Sequence, residues 1–318
     1  MKNKILEILR TKMGVYVSGE DMSAKLGVSR MSVSKCVKKL KGEGYAIDTA
    51  TRKGYRLTAL SDKPFGREIR NGLRAKVLGR KIYYFETIDS TNNKAYELAA
   101  GGAEEGTVVV AESQTAGKGR LGRKWESPEG GGIYMSIILR PDVPADGISS
   151  FTLVAALAVA KAMRRAANIN PKIKWPNDIM FRGRKLGGIL TEMKAQPDKL
   201  DFLIVGIGVN VNTPAERLPV MAVSMKELSG ADVDRPGFAK EMLFELETDY
   251  AKFVADGFKA LREECKAMSS VIGNKVRIVQ QNRITEGVAE DIDEIGALIV
   301  RDSGSGEARR ILSGDVGM

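Results

Sequence analysis

Histidine is missing from this chain of 318 residues. Without it there can be no Ser-His-Asp triad, no Cys-His pair and no His-ligated metal. Proton transfer near neutral pH would fall to a perturbed Lys, Glu, Asp or Cys. Chemistry governed by positioning and charge neutralisation, such as phosphoryl or nucleotidyl transfer, fits that lack better. Cysteine is scarce: Cys36 and Cys265 stand far apart. That argues against a disulfide framework or a Cys-based zinc site and fits a reducing compartment. Long hydrophobic runs are also lacking. The longest, Phe151 to Ala160, is too short to span a bilayer and is followed by Lys161, Arg164 and Arg165. Met1 to Arg10 mixes charged with apolar residues and carries no signal-peptide block. The expectation is a cytoplasmic protein with no membrane partner.

What is present is an ordinary globular composition, 43% hydrophobic and 28% charged, long enough for two or three domains. Charge is uneven. Residues 1–60 hold 13 Lys/Arg and 5 Asp/Glu, 13 − 5 = +8 of the chain's +10. A small basic unit joined to a nearly neutral body points to a polyanionic partner for the first unit. Its pattern agrees. Ile5, Leu6, Ile8 and Leu9 have helical spacing within Lys2 to Met13. Ser18 opens a second helix, Gly27-Val28 turns, and Ser29 caps a third from Arg30 to Lys41. Val33, Val37 and Leu40 form its inner face, with Cys36 beside them as packing. Ser29, Arg30, Ser32, Ser34, Lys35, Lys38 and Lys39 are left as DNA-contacting candidates of a helix-turn-helix. Gly44 to Ile47 and Gly54 to Leu57 flank a basic tip and predict a two-stranded wing. Thr58 to Glu68 reads as a linker.

The body is organised around Ala111 to Trp125. A short apolar strand runs into Gly117, Gly119 and Gly122, interspersed with Lys118, Arg120, Arg123 and Lys124 and closed by Trp125. Glycine permits close backbone approach to an anion, successive N–H groups make an anion-binding concavity, and the cations add full charge. The spacing is neither a P-loop nor a dinucleotide fingerprint. A solvated basic hairpin is the bland alternative.

Other segments supply company. Asp89-Ser90-Thr91-Asn92-Asn93 follows a strand from Lys81 to Phe85 and precedes a helix from Lys94. Ser90 or Thr91 reads first as its cap, and the exposed N–H groups there as a second choice for a ligand. Gly131 to Leu139 is a strand and Phe151 to Asn168 an apolar helix. Lys174-Trp175-Pro176-Asn177-Asp178 ends a strand in a polar turn that could hold a magnesium ion or order water. Lys185 stands before Gly187-Gly188 in a further strand, and Gly206 and Gly208 interrupt the strand Phe202 to Asn212. Glycine inside a strand marks a bulge or a close neighbour. Irregular alternation of strands and helices predicts a mixed-sheet α/β body. A long helix from Phe238 to Gly257 and a second reaching Met268 follow. From Lys275 onward short strands and glycine turns predict a small β-barrel.

In order and in detail these motifs resemble the bifunctional biotin–protein ligases and biotin operon repressors of bacteria. The carrying segments are Asp89 to Asn92, Gln114 to Trp125, Lys174 to Asp178, Lys185 to Leu190 and Gly206 to Asn210. The resemblance implies a winged helix-turn-helix over residues 1–60, an α/β ligase domain over 69–268 and an SH3-like β-barrel over 269–318. It implies biotin, ATP and Mg2+ as ligands, with biotin activated to biotinyl-5′-AMP and passed to a lysine of a biotin carboxyl carrier protein. Lys185 and Arg120 are implied as catalytic. Ser90, Thr91, Asn92, Gln114, Gly117, Lys118, Gly119, Arg120, Lys185 and Gly188 would bind biotin. Lys118, Arg120, Arg123, Trp125, Asn177 and Asn210 would bind ATP or the adenylate, and Asp178 is the metal candidate. Operator DNA and a second copy of the chain are the further implied partners, the homodimer forming through an edge strand around Leu190 to Gln196.

Lys118 stands where many members of that family carry Arg. A point charge replaces a bidentate fork, which implies weaker retention of the adenylate. A catalytically silent, biotin-sensing DNA-binding repressor is the alternative of a different class. Lipoate ligases share the fold but lack the Gly-Lys-Gly-Arg loop.

Overall fold

The computed structural model describes residues 1–143, 145–196, 199–280 and 283–317. By its contacts the chain divides into two compact units, Met1–Lys63 and Pro64–Met318.

In the first unit, α1 (Lys2–Thr11), α2 (Gly19–Leu26) and α3 (Arg30–Gly42) precede the paired strands β1 (Ala46–Ala50) and β2 (Gly54–Ala59). Ile5, Leu6, Leu9, Met22, Val33, Val37 and Leu40 are buried together with Cys36. Ser18 and Ser29 cap α2 and α3 through their side chains, and Gly27 ends α2 in the left-handed region. The expected linker is narrower than its sequence span. Thr58 and Ala59 belong to β2, and Gly66–Arg70 forms a short helix, α4, whose Ile69 is fully buried.

The second unit is built on a seven-stranded sheet. Its strands are β3 (Ile82–Ile88), β4 (Val108–Gln114), β5 (Gly132–Leu139), β6 (Lys172–Lys174), β7 (Asp178–Phe181), β8 (Arg184–Gln196) and β9 (Lys199–Asn210), in spatial order β3-β4-β5-β9-β8-β7-β6. Among the described strands of this sheet only β3 and β4 pair in parallel, so the sheet is mixed as expected. One face buries α6 (Phe151–Ala167) and α8 (Arg235–Asp256) in the main core. On the other face α5 (Thr91–Ala100) covers Val109, Ile138, Phe202 and Ile204. Two elements depart from expectation. α5 begins three residues before Lys94, so Thr91 and Asn92 lie in its first turn. α8 likewise begins at Arg235, with Pro236 in its first turn and Asp234 accepting from Gly237 N–H.

After α7 (Met225–Ser229), α8 and α9 (Arg262–Ala267), five antiparallel strands follow: β10 (Lys275–Gln280), β11 (Arg283–Ile292), β12 (Leu298–Asp302), β13 (Ala308–Ile311) and β14 (Asp315–Gly317). They pair in the order β13-β12-β11-β10-β14. This is the expected small β domain, with its ladder open between β13 and β14 and with β14 unforeseen.

A buried ion pair braces the base of the central loop. Arg235 Nη1 lies 3.0 Å from Glu112 Oε1 on β4 and 3.2 Å from the carbonyl of Gly132, while Glu112 also accepts from Gly130 N–H at 3.0 Å. Both side chains are at most 3% exposed. Removing one partner of such a pair leaves an uncompensated buried charge. Arg235→Met is therefore expected to cost about 3 kcal/mol or more in chemical denaturation; a loss within the experimental error would show that the pair is not needed.

Candidate functional site

Strand geometry sets the floor of the site. On one face of the sheet, alternation places Gly188, Leu190 and Glu192 of β8 beside Gly208, Gly206 and Ile204 of β9, and Gly208 and Gly206 beside Tyr134 and Ser136 of β5. Missing side chains at Gly206 and Gly208 make room for two others. A Cβ on Gly206 would sit 2.1 Å from Asn92 Oδ1, and one on Gly208 2.6 Å from the Trp125 indole. The strand glycines thus admit close protein neighbours, and the cleft opens above them.

At one end lies a polar pocket. Ser90 occupies the N-cap position of α5, yet its side chain makes no capping bond, contrary to the expected cap role. The capping is done by Gln114 at the end of β4. Gln114 Oε1 accepts from Thr91 N–H at 2.8 Å and from Thr91 Oγ1 at 3.1 Å, and its Nε2 donates to Ser127 Oγ at 2.9 Å. Ser136 Oγ is 2.8 Å from Thr91 Oγ1 and 2.6 Å from Asn92 Oδ1. Ser90, Thr91 and Asn92 are all buried, so this network is a prepared surface for a compact polar ligand. Next to it, Asp89 is held below its ordinary range, chiefly by the hydrogen bond from Asn93, with Lys118 adding to the effect.

The basic segment folds back on itself. Trp125 N–H donates to Gly117 O at 2.9 Å and Gly119 N–H to Arg123 O at 2.7 Å, closing a narrow hairpin. Leu121 (φ 55°) and Gly122 (φ 73°) form its tip in the left-handed region. For leucine that conformation costs about 1–2 kcal/mol, and Leu121 is 73% exposed, so packing offers no evident compensation. The expected concavity of free amides is absent at Gly119 and Trp125, whose N–H groups are consumed by the hairpin. Gly117 does not face the cleft; a Cβ there would meet Trp125 O at 2.4 Å.

The cations of the site rest on protein acceptors. Lys118 Nζ is 3.2 Å from Glu192, Arg120 Nη1 donates to Asn177 Oδ1 at 3.0 Å, and Lys185 Nζ is 2.7 Å from Asp178. Arg120 also reaches Gly314 O at 3.5 Å, and Arg123 pairs with Asp315 in β14. Burial pulls the Arg120 guanidinium below its ordinary range, while Asp315 and Asp178 oppose that pull. Asn177 is itself pinned, donating to Ile189 O at 3.1 Å. Trp125 covers Gly208 with its Nε1 buried and without a hydrogen-bond partner, and Lys185 Nζ is 5.4 Å from its ring centre. Lys118, Gly119, Arg120, Arg123, Trp125, Asn177, Asp178, Lys185 and Gly188 all line one cleft with the polar pocket. Asn210 lies outside it, lining an adjoining apolar hollow with Trp125, Lys174, Lys185, Leu218 and Met221. Asp178 is engaged by Lys185, and the described residues hold no group of three acidic, His or Cys side chains fit for a metal.

Sequence reasoning missed Glu192, Ser136, Ser127 and Asp315. For Glu192 a signal existed: counting by twos from Gly188 places a carboxylate on the glycine face of β8. Asp315 could not be found so, because β14 itself was unforeseen.

In the first unit, Arg30, Ser34, Lys35, Lys38 and Lys39 are exposed on α3, and Arg30 pairs with Glu20. Ser29 and Ser32 hydroxyls face each other at 3.0 Å. Met31, not expected there, is 68% exposed among them.

Comparison with known proteins fits this geometry. The model of the Biotin/lipoate A/B protein ligase family matches residues 84–210, an HTH domain model 2–56, and the Biotin protein ligase C terminal domain 271–318. The Bifunctional ligase/repressor BirA of Bacillus subtilis is 38% identical over 99% of this chain and 98% of its own. The Escherichia coli protein of the same name is 27% identical over 92% of this chain and 90% of its own. The biotin protein ligase of Aquifex aeolicus, solved with biotin and ATP, superposes with a TM-score of 0.65 at 30% identity, covering 75% of this chain and 98% of that one.

The bond from Arg123 to Asp315 ties the hairpin to β14. Arg123 is mostly exposed, so the tie contributes about 1 kcal/mol at most. Asp315→Asn should leave thermal stability nearly unchanged while raising hydrogen–deuterium exchange across 117–125. Unchanged exchange there would show that the hairpin is held by its own backbone.

Proposed function

This chain belongs to the biotin/lipoate A/B protein ligase family, and on that premise we propose how its site activates biotin with ATP and passes it to a carrier lysine. The protein is a biotin protein ligase of the bifunctional ligase/repressor type, with biotin and ATP as its ligands. The carrying observation is the set of cations that line the cleft beside the polar pocket, of which Arg120, Arg123 and Lys185 rest on protein acceptors that an anion can replace. Biotin's ureido head would lie against Ser90, Thr91, Asn92 and Gln114, and its tail would run past Gly188. Its carboxylate would then meet Lys185 beside the α-phosphate. The adenosine side would enter the hollow of Trp125 and Asn210.

In the first step a carboxylate oxygen attacks the α-phosphorus, the bond to the β-phosphate oxygen breaks, and pyrophosphate leaves. Negative charge gathers on phosphoryl oxygens, where Lys185, Arg120 and Arg123 would neutralise it in a partly water-excluded cleft while Lys118 stays on Glu192. In the second, a neutral carrier amine attacks the acyl carbon, the acyl carbon–oxygen bond to AMP breaks, AMP leaves and the amine's proton passes to solvent. No histidine is required by either step. Magnesium would arrive on the ATP phosphates, as it commonly does, since Asp178 alone offers a single carboxylate already engaged by Lys185.

We further propose that unit one reads operator DNA through α3 and the wing, that the protein works in the cytoplasm, and that loaded chains form a homodimer. Support for the dimer edge comes from β8. β7 pairs with it only as far as Gly188, so beyond Ile189 its described pairing is with β9 alone. Met193 there is 50% exposed.

Incubation with biotin, MgATP and a biotin carboxyl carrier domain tests the ligase, read as pyrophosphate release and streptavidin blotting. Binding without turnover would favour a silent sensor. Lys185→Gln is expected to lower adenylate formation by about 10²–10³ with a smaller effect on biotin binding by calorimetry; a rate near that of the parent would remove Lys185 from the mechanism. Neutralising Lys35 and Lys38 together should weaken operator binding at all sequences and reduce its logarithmic salt slope by about 2 per bound protomer. An unchanged slope would place the phosphates elsewhere.

A further inference from the structure

We propose that Glu192 is a positioning residue that couples occupancy of the polar pocket to the hold of the basic hairpin. This rests on the ligase reading above. Glu192 stands on the glycine face of β8 and uses its two oxygens separately. Oε2 accepts from Asn92 Nδ2 at 2.7 Å, and Oε1 lies 3.2 Å from Lys118 Nζ.

The first contact sets the polarity of the pocket. An ionised carboxylate only accepts, so it turns the Asn92 amide nitrogen toward itself. Asn92 Oδ1 is thereby aimed at Ser136 and accepts its hydroxyl hydrogen at 2.6 Å. The same hydroxyl also points at Thr91 Oγ1, 2.8 Å away, whose own hydrogen goes to Gln114 Oε1. The donors and acceptors that would meet a ureido group are fixed in this way from a residue that need not touch it. Asn92 is 4% exposed and lies over Gly206, where no side chain can replace it, so its amide has little freedom to turn.

The second contact holds the start of the hairpin. Lys118 is the first cation after Gly117, and its partner is anchored in the sheet. Lys118 also neutralises a carboxylate that would otherwise repel biotin's own carboxylate and the phosphates. One side chain therefore links pocket to hairpin, and disturbing either end should be felt at the other.

The test is a double-mutant cycle on the full-length protein, preloaded with biotin and MgATP, following release of biotinyl-5′-AMP. Glu192→Gln, nearly isosteric, is expected to speed release about tenfold and to raise the KM for biotin with kcat for adenylation nearly unchanged. Salt is expected to speed release from the parent by screening the bridge; Lys118→Met should speed release about threefold and abolish that acceleration. Combining the two should release no faster than Glu192→Gln alone. A further threefold acceleration in the double variant, or a fall in kcat without a change in KM, would overturn the coupling. If Glu192→Gln does not fold, Lys118→Met decides alone: release that keeps the parent's salt dependence contradicts the bridge. A parent that makes no adenylate would instead defeat the ligase reading.

Discussion

Two side chains that are not there, at Gly206 and Gly208, organise the site. A strand in the middle of a sheet normally projects a side chain from its face at every second position. Here the central strand leaves that row bare, and Asn92 and Trp125 lie down into the space, at distances where a methyl group could not exist. Asn92 brings the start of α5 and the polar pocket onto the sheet. Trp125 brings the far end of the basic hairpin. Both halves of the cleft are placed by one local omission, and the buried Glu112–Arg235 pair fixes the stem from which the hairpin rises.

Above that floor, electrostatics decides what the cleft can do. Cations crowded together would repel one another, and each is quietened by a nearby acceptor: Glu192, Asn177, Asp178 or Asp315. None of these contacts is deeply buried, so none is worth much alone, and a polyphosphate can displace those of Arg120, Arg123 and Lys185. The hairpin pays part of its conformational cost at Leu121, whose left-handed backbone points outward at the tip. A segment held by weak ion pairs and carrying local strain is suited to closing on a charged ligand and letting it go.

Much of this was legible in the chain. Helical spacing and serine caps marked the first unit, because its burial is local and periodic. Gly-rich basic sequence marked the hairpin, and alternating apolar runs marked the sheet. The errors share a cause. Ser90 looks like a cap because capping is usually done by the nearest hydroxyl, yet the Thr91 N–H is met by Gln114, 23 residues beyond Thr91. The basic amides looked free because pairing of Gly119 with Arg123 depends on a turn that needs leucine in an unusual conformation. Asp315 belongs to a three-residue strand that exists only through its pairing with β10. Long-range partners of this kind leave no local period to read.

The most direct measurement is a crystal structure of the protein loaded with biotin and ATP. Biotinyl-5′-AMP should lie on the glycine floor, with its ureido head at Thr91 and Gln114. Arg120 and Arg123 should have exchanged Asn177 and Asp315 for phosphate oxygens. An adenylate bound elsewhere, with all four cations still on their protein acceptors, would contradict the whole scheme.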